Sequence, residues 1–456
     1  MKFLDRYTER ERLTRVLKRD DRSAFVVIYG RRRLGKSALI RHVIDDDDIY
    51  FMSEIMEECV QIKNFANVVS LHIPGFNRVE YPNWEVVLTE LNIKTTKRFT
   101  LCIDEFPYLV KSSLGLPSVL QKLIDSRTLK YNIIICGSSQ QMMYDAALSG
   151  SSPLYGRSDA LMRLTPIDFK YIAEALNVDP VQAIEEYAVW GGVPRYWELR
   201  EQVDNLWQAL KEYVFTVHGD LYEEPSHLLM DDMRDIVQAS TILSVIGNGV
   251  NRMSEIAARC NKPATQLSGP LDKLRTLNLI RREVPFGETE KNSKKSIYKI
   301  SDPYMDFYYH FVVPHRSLIE LGRTEMVMNI VKQKFNQYVS MHWEQICRDA
   351  VSGREIDGVC YGVASRWWGA VSKGEMVEID VIAESLDGRS LLVGECKWAD
   401  NVDVDRVYED LKTKATKLPF AKGKEIKCVL FLKKGSENAR RDFRVISPDD
   451  LMMFGE

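Results

Sequence analysis

"VVIYGRRRLGKSALIRHVI", residues 26–44, decides how this chain is read. A run of apolar β-formers stops at a glycine. Three arginines follow, then Gly35-Lys36-Ser37, then an amphipathic helical pattern. Gly30-Arg31-Arg32-Arg33-Leu34-Gly35-Lys36-Ser37 fits G-x-x-x-x-G-K-[ST], the phosphate-binding loop. The chemistry explains the spacing. Successive backbone N–H groups turn inward around the phosphates, and the next helix points its positive end at them. Gly30 and Gly35 permit the tight path. Lys36 is the point charge for the β- and γ-phosphates, and Ser37 brings a hydroxyl to Mg2+. The flanking strand (25–29) and helix (37–44) supply the context that the motif requires. ATP and Mg2+ are the expected ligands.

Such a loop needs a carboxylate site on a neighbouring strand. "RFTLCIDEFPYLV" (98–110) provides one, with an apolar run leading to Asp104-Glu105. Asp104 is expected to hold Mg2+ through water, and Glu105 to orient or deprotonate the attacking water. The next buried-type strand, "YNIIICGSS" (131–139), ends in Ser138 and Ser139, where a polar sensor of the γ-phosphate is expected. In "SPLYGRSDALMRL", Arg157 follows a glycine in a loop. It is the candidate arginine that reaches a γ-phosphate in cis or from a neighbour, which leaves a homo-oligomer open.

These residues carry a resemblance. Residues 1 to roughly 225 resemble the archaeal-type P-loop ATPases, related to AAA+ proteins and to signal-transduction ATPases with many appended domains. The matching pieces are "FLDRYTERERL", "GRRRLGKS", "CIDEFPYL", "CGSSQQMM", "SPLYGR" and "WGGVPRYW". In that family the opening residues and the Gly-x-Pro segment line the adenine pocket, so the resemblance implies that role for Arg6 and Pro194. From the residues alone, Gly191-Gly192-Val193-Pro194 is a loop between helical patterns.

The chain has 456 residues, too many for one ordinary core. At 45% hydrophobic, 28% charged and net charge −3, it reads as a globular protein whose total charge neither advertises nor excludes a nucleic-acid partner. The opening "MKFLDRYTERERL" has no apolar core of signal-peptide length. No apolar run reaches the ~18 residues of a membrane span. Eight cysteines lie scattered without CxxC pairs, as buried free thiols of a reducing cytoplasm would. The expected location is cytoplasmic, with no membrane partner.

Five segments are expected: an ATPase core (1–165), a helical lid (166–230), a winged helix-turn-helix (231–305), a bridging helix or linker (306–334) and a last domain (335–456). In the core, alternating strand and helix signals imply a parallel sheet with helices on both faces. In the lid, residues 167–192 read as two helices split by Asp179-Pro180. From about residue 231 to 305 the pattern gives helix, helix, helix, hairpin. Residues 252–299 hold 11 Lys+Arg against 5 Asp+Glu, +6 in a chain of net −3. Lys291, Lys294 and Lys295 in the wing suit contacts with DNA phosphates. Gly269-Pro270 interrupts the third helix, which is expected to start only at Pro270. The alternative use of this module is packing between domains. "SDPYMDFYYHFVVPHRSLIELG" (301–322) is dense in aromatics and reads as a packing helix.

The last domain opens on an amphipathic helix that contains Glu344. "MVEIDVIAES" is a strand with Asp380 on it. A turn at Leu386-Asp387-Gly388 leads to "SLLVGECKW", where Glu395 and Lys397 share one face. An acid on one strand and acid-x-lysine on its partner converge on a metal-sized space. This is the layout of the PD-(D/E)XK nucleases, the restriction-endonuclease-like fold. Asp380 and Glu395 would bind Mg2+ through oxygen, and Lys397 would act on the attacking water and the phosphate. Glu344 matches that family's helix acid. Ile379-Asp380 stands where the motif's name has Pro-Asp.

The expectation is an α/β protein: a P-loop parallel sheet with helical lid, a winged helix, and a restriction-endonuclease-like α/β domain. It would couple ATP hydrolysis to DNA binding and metal-dependent DNA cleavage. The alternative is a non-nucleolytic ATP/ADP switch whose last domain only binds nucleic acid or partners.

Overall fold

Five strands from the first 165 residues, Phe25–Tyr29 (β1), Ile49–Met52 (β2), Thr100–Asp104 (β3), Asn132–Gly137 (β4) and Ala160–Arg163 (β5), pair in parallel in the order β2-β3-β4-β1-β5. β1, β3 and β4 are inner strands, buried almost throughout, and read as continuous apolar runs because both faces are covered. β2 and β5, at the edges, alternate. One face of the core gathers Phe51, Phe65 and Trp84 in edge contacts, with Leu101, Ile103, Ile133 and Ile135 beneath. The helix after the loop spans Lys36–Arg41, shorter than the expected 37–44. The acidic stretch behind it folds into its own turn, with the Asp45 N–H donating to Asp48 at 2.8 Å.

This computed structural model describes residues 3–233, 235–291, 293–435 and 442–453. The chain divides into two units: 1–167 with 193–195 and 230–234, and 168–192 with 196–229 and 235–456.

In the second unit the two helices around Asp179-Pro180 form as expected. Pro180–Trp190 starts at Pro180, and the Asp179 carboxylate caps the Gln182 N–H at 2.8 Å. Glu186 and Arg200, both buried, pair at 2.7 Å, and the Trp190 indole N–H donates to the same carboxylate at 2.7 Å. After further helical segments come the helices Ile236–Gly247, Met253–Arg259 and Ala264–Thr276, and then the antiparallel hairpin Ile280–Glu283 (β6) and Ile297–Ile300 (β7). The third helix does not wait for Pro270. It begins at Ala264 with Pro270 inside it. Proline leaves only the Gln266 carbonyl without its helical donor, and Gln266 is exposed to water, so the break is tolerated. Lys291, Lys294 and Lys295 are exposed, and Lys295 pairs with Glu288 at 2.8 Å. The base of the hairpin is committed to packing. The Phe286 N–H donates to the Arg366 carbonyl at 2.9 Å, and its ring lies 5.1 Å from Phe420.

The aromatic stretch after the hairpin is core, with Tyr304, Phe307, Tyr308, Tyr309 and Phe311 buried. The helix that carries Glu344 starts at Thr324, eleven residues before the expected boundary at 335, and runs to Val351 without a Gly or Pro to stop it. After the two short strands Glu355–Ile356 (β8) and Val359–Cys360 (β9) comes a mixed sheet: Ser365–Ser372 (β10), Glu375–Glu384 (β11), Ser390–Lys397 (β12), Glu425–Leu432 (β13) and Arg444–Ile446 (β14). It is ordered β10-β11-β12-β13-β14, with the first two pairings antiparallel and the last two parallel. The helix Val404–Thr416 makes the crossover that the parallel β12/β13 pair requires. Its Leu411 and Ala415 bury against Ile379, Ile382 and Val393. Among the described residues no helix is long and apolar enough to cross a membrane.

Candidate nucleotide site and C-terminal acidic site

The two loop glycines are needed for different reasons. A Cβ on Gly30 would lie 2.6 Å from the Leu164 carbonyl oxygen, so only glycine lets the loop pass the end of β5. Gly35 has open space around it but sits at φ +85°, where L side chains are strained. Lys36 is buried, and its ammonium donates to the Gly30 and Arg31 carbonyls at 2.8 and 3.1 Å. Burial lowers its pKa, while Cys136, Glu105, Asp104 and Asp231 pull it back up.

Because β4 lies between β1 and β3, the loop after β1 and the acids at the end of β3 flank the serines at the end of β4. Ser37 Oγ donates to Asp104 Oδ2 at 2.7 Å. Burial raises the Asp104 carboxyl, but hydrogen bonds from Ser37, Tyr50, Cys136 and the Glu105 N–H outweigh it and leave it below its ordinary value. Glu105 adopts φ 52°, an uncommon conformation for a residue with a side chain, at the start of the helix Phe106–Ser112. Its carboxylate accepts from Ser138 Oγ at 2.6 Å and from the Ser138 N–H at 3.2 Å. Ser37, Asp104, Glu105 and Ser138 are thus linked in two hydrogen-bonded pairs beside Lys36. The paired hydroxyl and carboxylate of Ser37 and Asp104 are the hard oxygen donors that Mg2+ prefers, so these residues fit the ion.

The other expected residues make contacts of their own. Arg6 is buried and donates to the Leu34 carbonyl at 3.4 Å, to the Thr165 carbonyl, and to Glu9 at 3.1 Å, which ties the opening segment to the loop. Val193, Pro194 and Arg195 group with the ATPase unit, and Pro194 is half-buried at the start of the helix Pro194–Arg200. Arg157 is not brought to this site in cis. Its guanidinium grips Asp125 at 2.9 Å and the Pro153 carbonyl at 2.9 Å, and none of its hydrogen bonds reaches Lys36, Asp104, Glu105 or Ser138. The helix Leu116–Asp125, which precedes β4, supplies a partner carboxylate at its end before the arginine can reach inward.

In the last domain, antiparallel pairing of β11 with β12 brings Asp380 beside Glu395. Asp380 Oδ2 accepts from the Cys396 N–H at 2.9 Å, and its pKa is pushed up to about 6 by burial and by the charges of Glu344 and Glu395. Arg348 donates to the Asp380 carbonyl at 2.9 Å and stands 3.7 Å from Glu344. The expected shared metal site is not preassembled. Among the described residues no three His, Cys, Asp or Glu side chains are grouped to hold a metal ion. Glu395 instead gives one oxygen to Lys397 at 2.7 Å and the other to Lys414 at 3.1 Å. Ammonium groups satisfy this buried carboxylate at less cost than leaving it bare. Burial lowers the pKa of Lys397, but the bond and charge of Glu395 outweigh it, and the net shift is upward.

Sequence reading missed Tyr50, Asp232 and Lys414. Tyr50 donates to Asp104 Oδ2 from β2, and no local pattern marks it. Asp232 accepts from Ser139 Oγ at 2.9 Å and from the Gln141 N–H at 3.0 Å, a contact spanning about ninety residues. Lys414 had a signal: it precedes Ala415 on the inward stripe of its helix, three residues after Leu411.

Comparison with known proteins agrees with the loop-bearing part of this geometry. Residues 3–186 match an ATPase domain predominantly from Archaea, and residues 308–411 match archaeal and bacterial proteins of unknown function. The chain thus carries an ATPase domain of archaeal type, joined to a region whose relatives have no described function. An uncharacterized protein of Methanocaldococcus jannaschii is 29% identical over 424 residues, 91% of this chain and 92% of that protein. Among solved structures, the Aeropyrum pernix ORC2 protein in ADPNP–ADP complexes aligns with 70% of this chain and 94% of its own, at 13% identity and TM-score 0.46. A signal-transduction ATPase with a tetratricopeptide repeat sensor from Pyrococcus horikoshii aligns with 76% of this chain and 49% of its own, at 14% identity and TM-score 0.33.

Proposed function

We propose that this protein binds and hydrolyses ATP with Mg2+ and uses the nucleotide state to direct a DNA-binding, nuclease-like C-terminal module. The observation that carries the first half is the pairing of Ser37 with Asp104 at 2.7 Å beside Glu105 with Ser138 at 2.6 Å, next to the phosphate loop. Lys36 would neutralise the β- and γ-phosphates, and Glu105 would take a proton from the attacking water while Ser138 holds its carboxylate in line. Ser37 and Asp104 would hold Mg2+, which supplies charge neutralisation on the phosphates. Lys36→Ala is expected to fold and lose turnover, because its ammonium is held by the loop carbonyls of Gly30 and Arg31 and its charge is what the phosphates need. Glu105→Gln is expected to bind ATP and hydrolyse it at least about 100-fold more slowly. Normal turnover in either variant overturns the assignment.

The three helices and hairpin of 236–300 support a winged helix, with exposed lysines at its tip. The order helix, three strands, helix, strand, with Asp380 and Glu395-x-Lys397 on paired strands, supports the restriction-endonuclease-like reading. In that reading Asp380 and Glu395 would hold a divalent ion and Lys397 would act on water and phosphate. One observation favours the non-nucleolytic switch: both Glu395 oxygens are engaged by lysines. A divalent titration by calorimetry, run beside plasmid nicking, separates the two. Cleavage predicts binding that Asp380→Ala abolishes and nicking that Lys397→Ala abolishes. Divalent binding that ignores Asp380→Ala ends the nuclease reading, and binding without nicking assigns the module to the switch.

A further inference from the structure

Asp104 is held from two sides. Its Oδ2 accepts Ser37 Oγ from the helix after the phosphate loop and the Tyr50 hydroxyl from the neighbouring strand β2. Its Oδ1 accepts the Glu105 N–H at 2.9 Å. A carboxylate oxygen offers about two lone pairs, so Oδ2 is fully committed by the two hydroxyls; the Cys136 thiol, only a weak donor, is the carboxylate's remaining protein partner, so water can compete for Oδ1. Tyr50 is itself fixed. β2 pairs in parallel with β3, which sets Tyr50 beside Cys102 two positions before Asp104. The Arg41 guanidinium lies over the Tyr50 ring at 5.1 Å, and Arg41 ends the same helix that begins with Lys36 and Ser37.

We propose that Tyr50 is a positioning residue of the Mg2+ site, whose hydroxyl occupies Asp104 Oδ2 and so leaves only Oδ1 facing the ion's hydration shell. The proposal rests on the ATP and Mg2+ reading above. Its physical content is simple. A carboxylate with one oxygen saturated by two hydroxyls cannot rotate to take the ion directly, and it remains an acceptor for metal-bound water. Groups that orient a metal's ligands in this way typically affect metal affinity by about 10- to 100-fold. Removing the hydroxyl frees a lone pair on Oδ2 and lets the carboxylate turn, while the ring and its contact with Arg41 survive in phenylalanine.

The test is Tyr50→Phe in the full chain. Binding of a non-hydrolysable ATP analogue is measured by calorimetry across a Mg2+ titration and again in EDTA, and bound Mn2+ is counted by electron paramagnetic resonance. The expected result is a divalent midpoint about tenfold higher. Nucleotide affinity in EDTA and the melting temperature should match wild type. Ser37→Ala, which loses a direct oxygen ligand, should shift the midpoint further. A Tyr50→Phe midpoint within twofold of wild type overturns the proposal. So does a loss of affinity in EDTA, which would mark Tyr50 as a support of the whole loop. Wild-type chain that binds nucleotide with no divalent dependence removes the underlying reading and the proposal with it, whereas divalent-dependent wild type with unchanged Tyr50→Phe removes the proposal alone.

Discussion

Gly30→Ala turns one contact in the phosphate loop into a measurable loss. The new methyl would lie 2.6 Å from the Leu164 carbonyl oxygen and 3.3 Å from the Leu164 nitrogen, both backbone atoms that cannot swing aside as a side chain would. Opening 2.6 Å to an ordinary 3.4 Å contact asks the loop to retreat by about 0.8 Å from the end of β5. Overpacking of this kind costs about 1–3 kcal/mol, and the unfavourable φ adds about 1 kcal/mol. A loss of roughly 3 kcal/mol in a unit of this size lowers its melting temperature by roughly 6–12 °C. The functional effect should be larger than the stability effect. The carbonyls of Gly30 and Arg31 hold the Lys36 ammonium, so a retreating loop drags Lys36 with it. A misplacement near 1 Å costs about 100-fold in rate. The assay is steady-state ATP turnover with thermal unfolding of the full chain, compared with Gly35→Ala, which carries backbone strain but meets nothing within 4 Å. Gly30→Ala should lose about 100-fold in turnover at a temperature where it remains folded, and Gly35→Ala should lose less. Wild-type turnover in Gly30→Ala would refute the reasoning, because the close approach to Leu164 would then not set the loop.

The raised pKa of Asp380 has a definite sign for stability. Its folded value of about 6 exceeds the ordinary 3.8, so its contribution is fully present below about 3.8 and is lost as pH rises through 6. Asp380→Asn should flatten denaturant midpoints between pH 4 and 7, and an unchanged pH slope counts against this. Removing Lys294 and Lys295 together should weaken DNA binding for all sequences and lower the log–log salt slope by about two, measured by fluorescence anisotropy. Salt-insensitive binding assigns the three-helix module to packing. Arg200→Ala leaves Glu186 buried without its cation and should cost about 3–5 kcal/mol by denaturant unfolding, a loss that Glu186→Gln combined with Arg200→Met should partly restore.

Much of the candidate nucleotide site was legible along the chain because its parts are local. Gly30 to Ser37 is one loop, Asp104-Glu105 and Ser138-Ser139 each end an apolar strand, and short apolar runs without alternation announce a covered parallel sheet. The same holds for Asp380 on an alternating strand and Glu395-x-Lys397 on the next, since a two-residue period places both side chains on one face. What depended on distance was not legible. Nothing in the residues 98–139 says that β4 inserts between β1 and β3, yet that order is what sets Ser138 on Glu105. Tyr50 reaches Asp104 across 54 positions, and Lys414 reaches Glu395 from the crossover helix. Arg157 looked inward by its loop context and was captured by Asp125, because a carboxylate within reach outcompetes a site that the loop does not face. The helix through Gly269-Pro270 formed despite both residues, since Leu267, Leu271 and Leu274 bury on one side and that packing outweighs local propensity. Local backbone preference and periodicity write the elements and their chemical ends into the chain. Which ends meet is decided by strand order and helix packing, where many weak apolar contacts are satisfied at once and the polar partners are whatever that packing brings within about 3 Å.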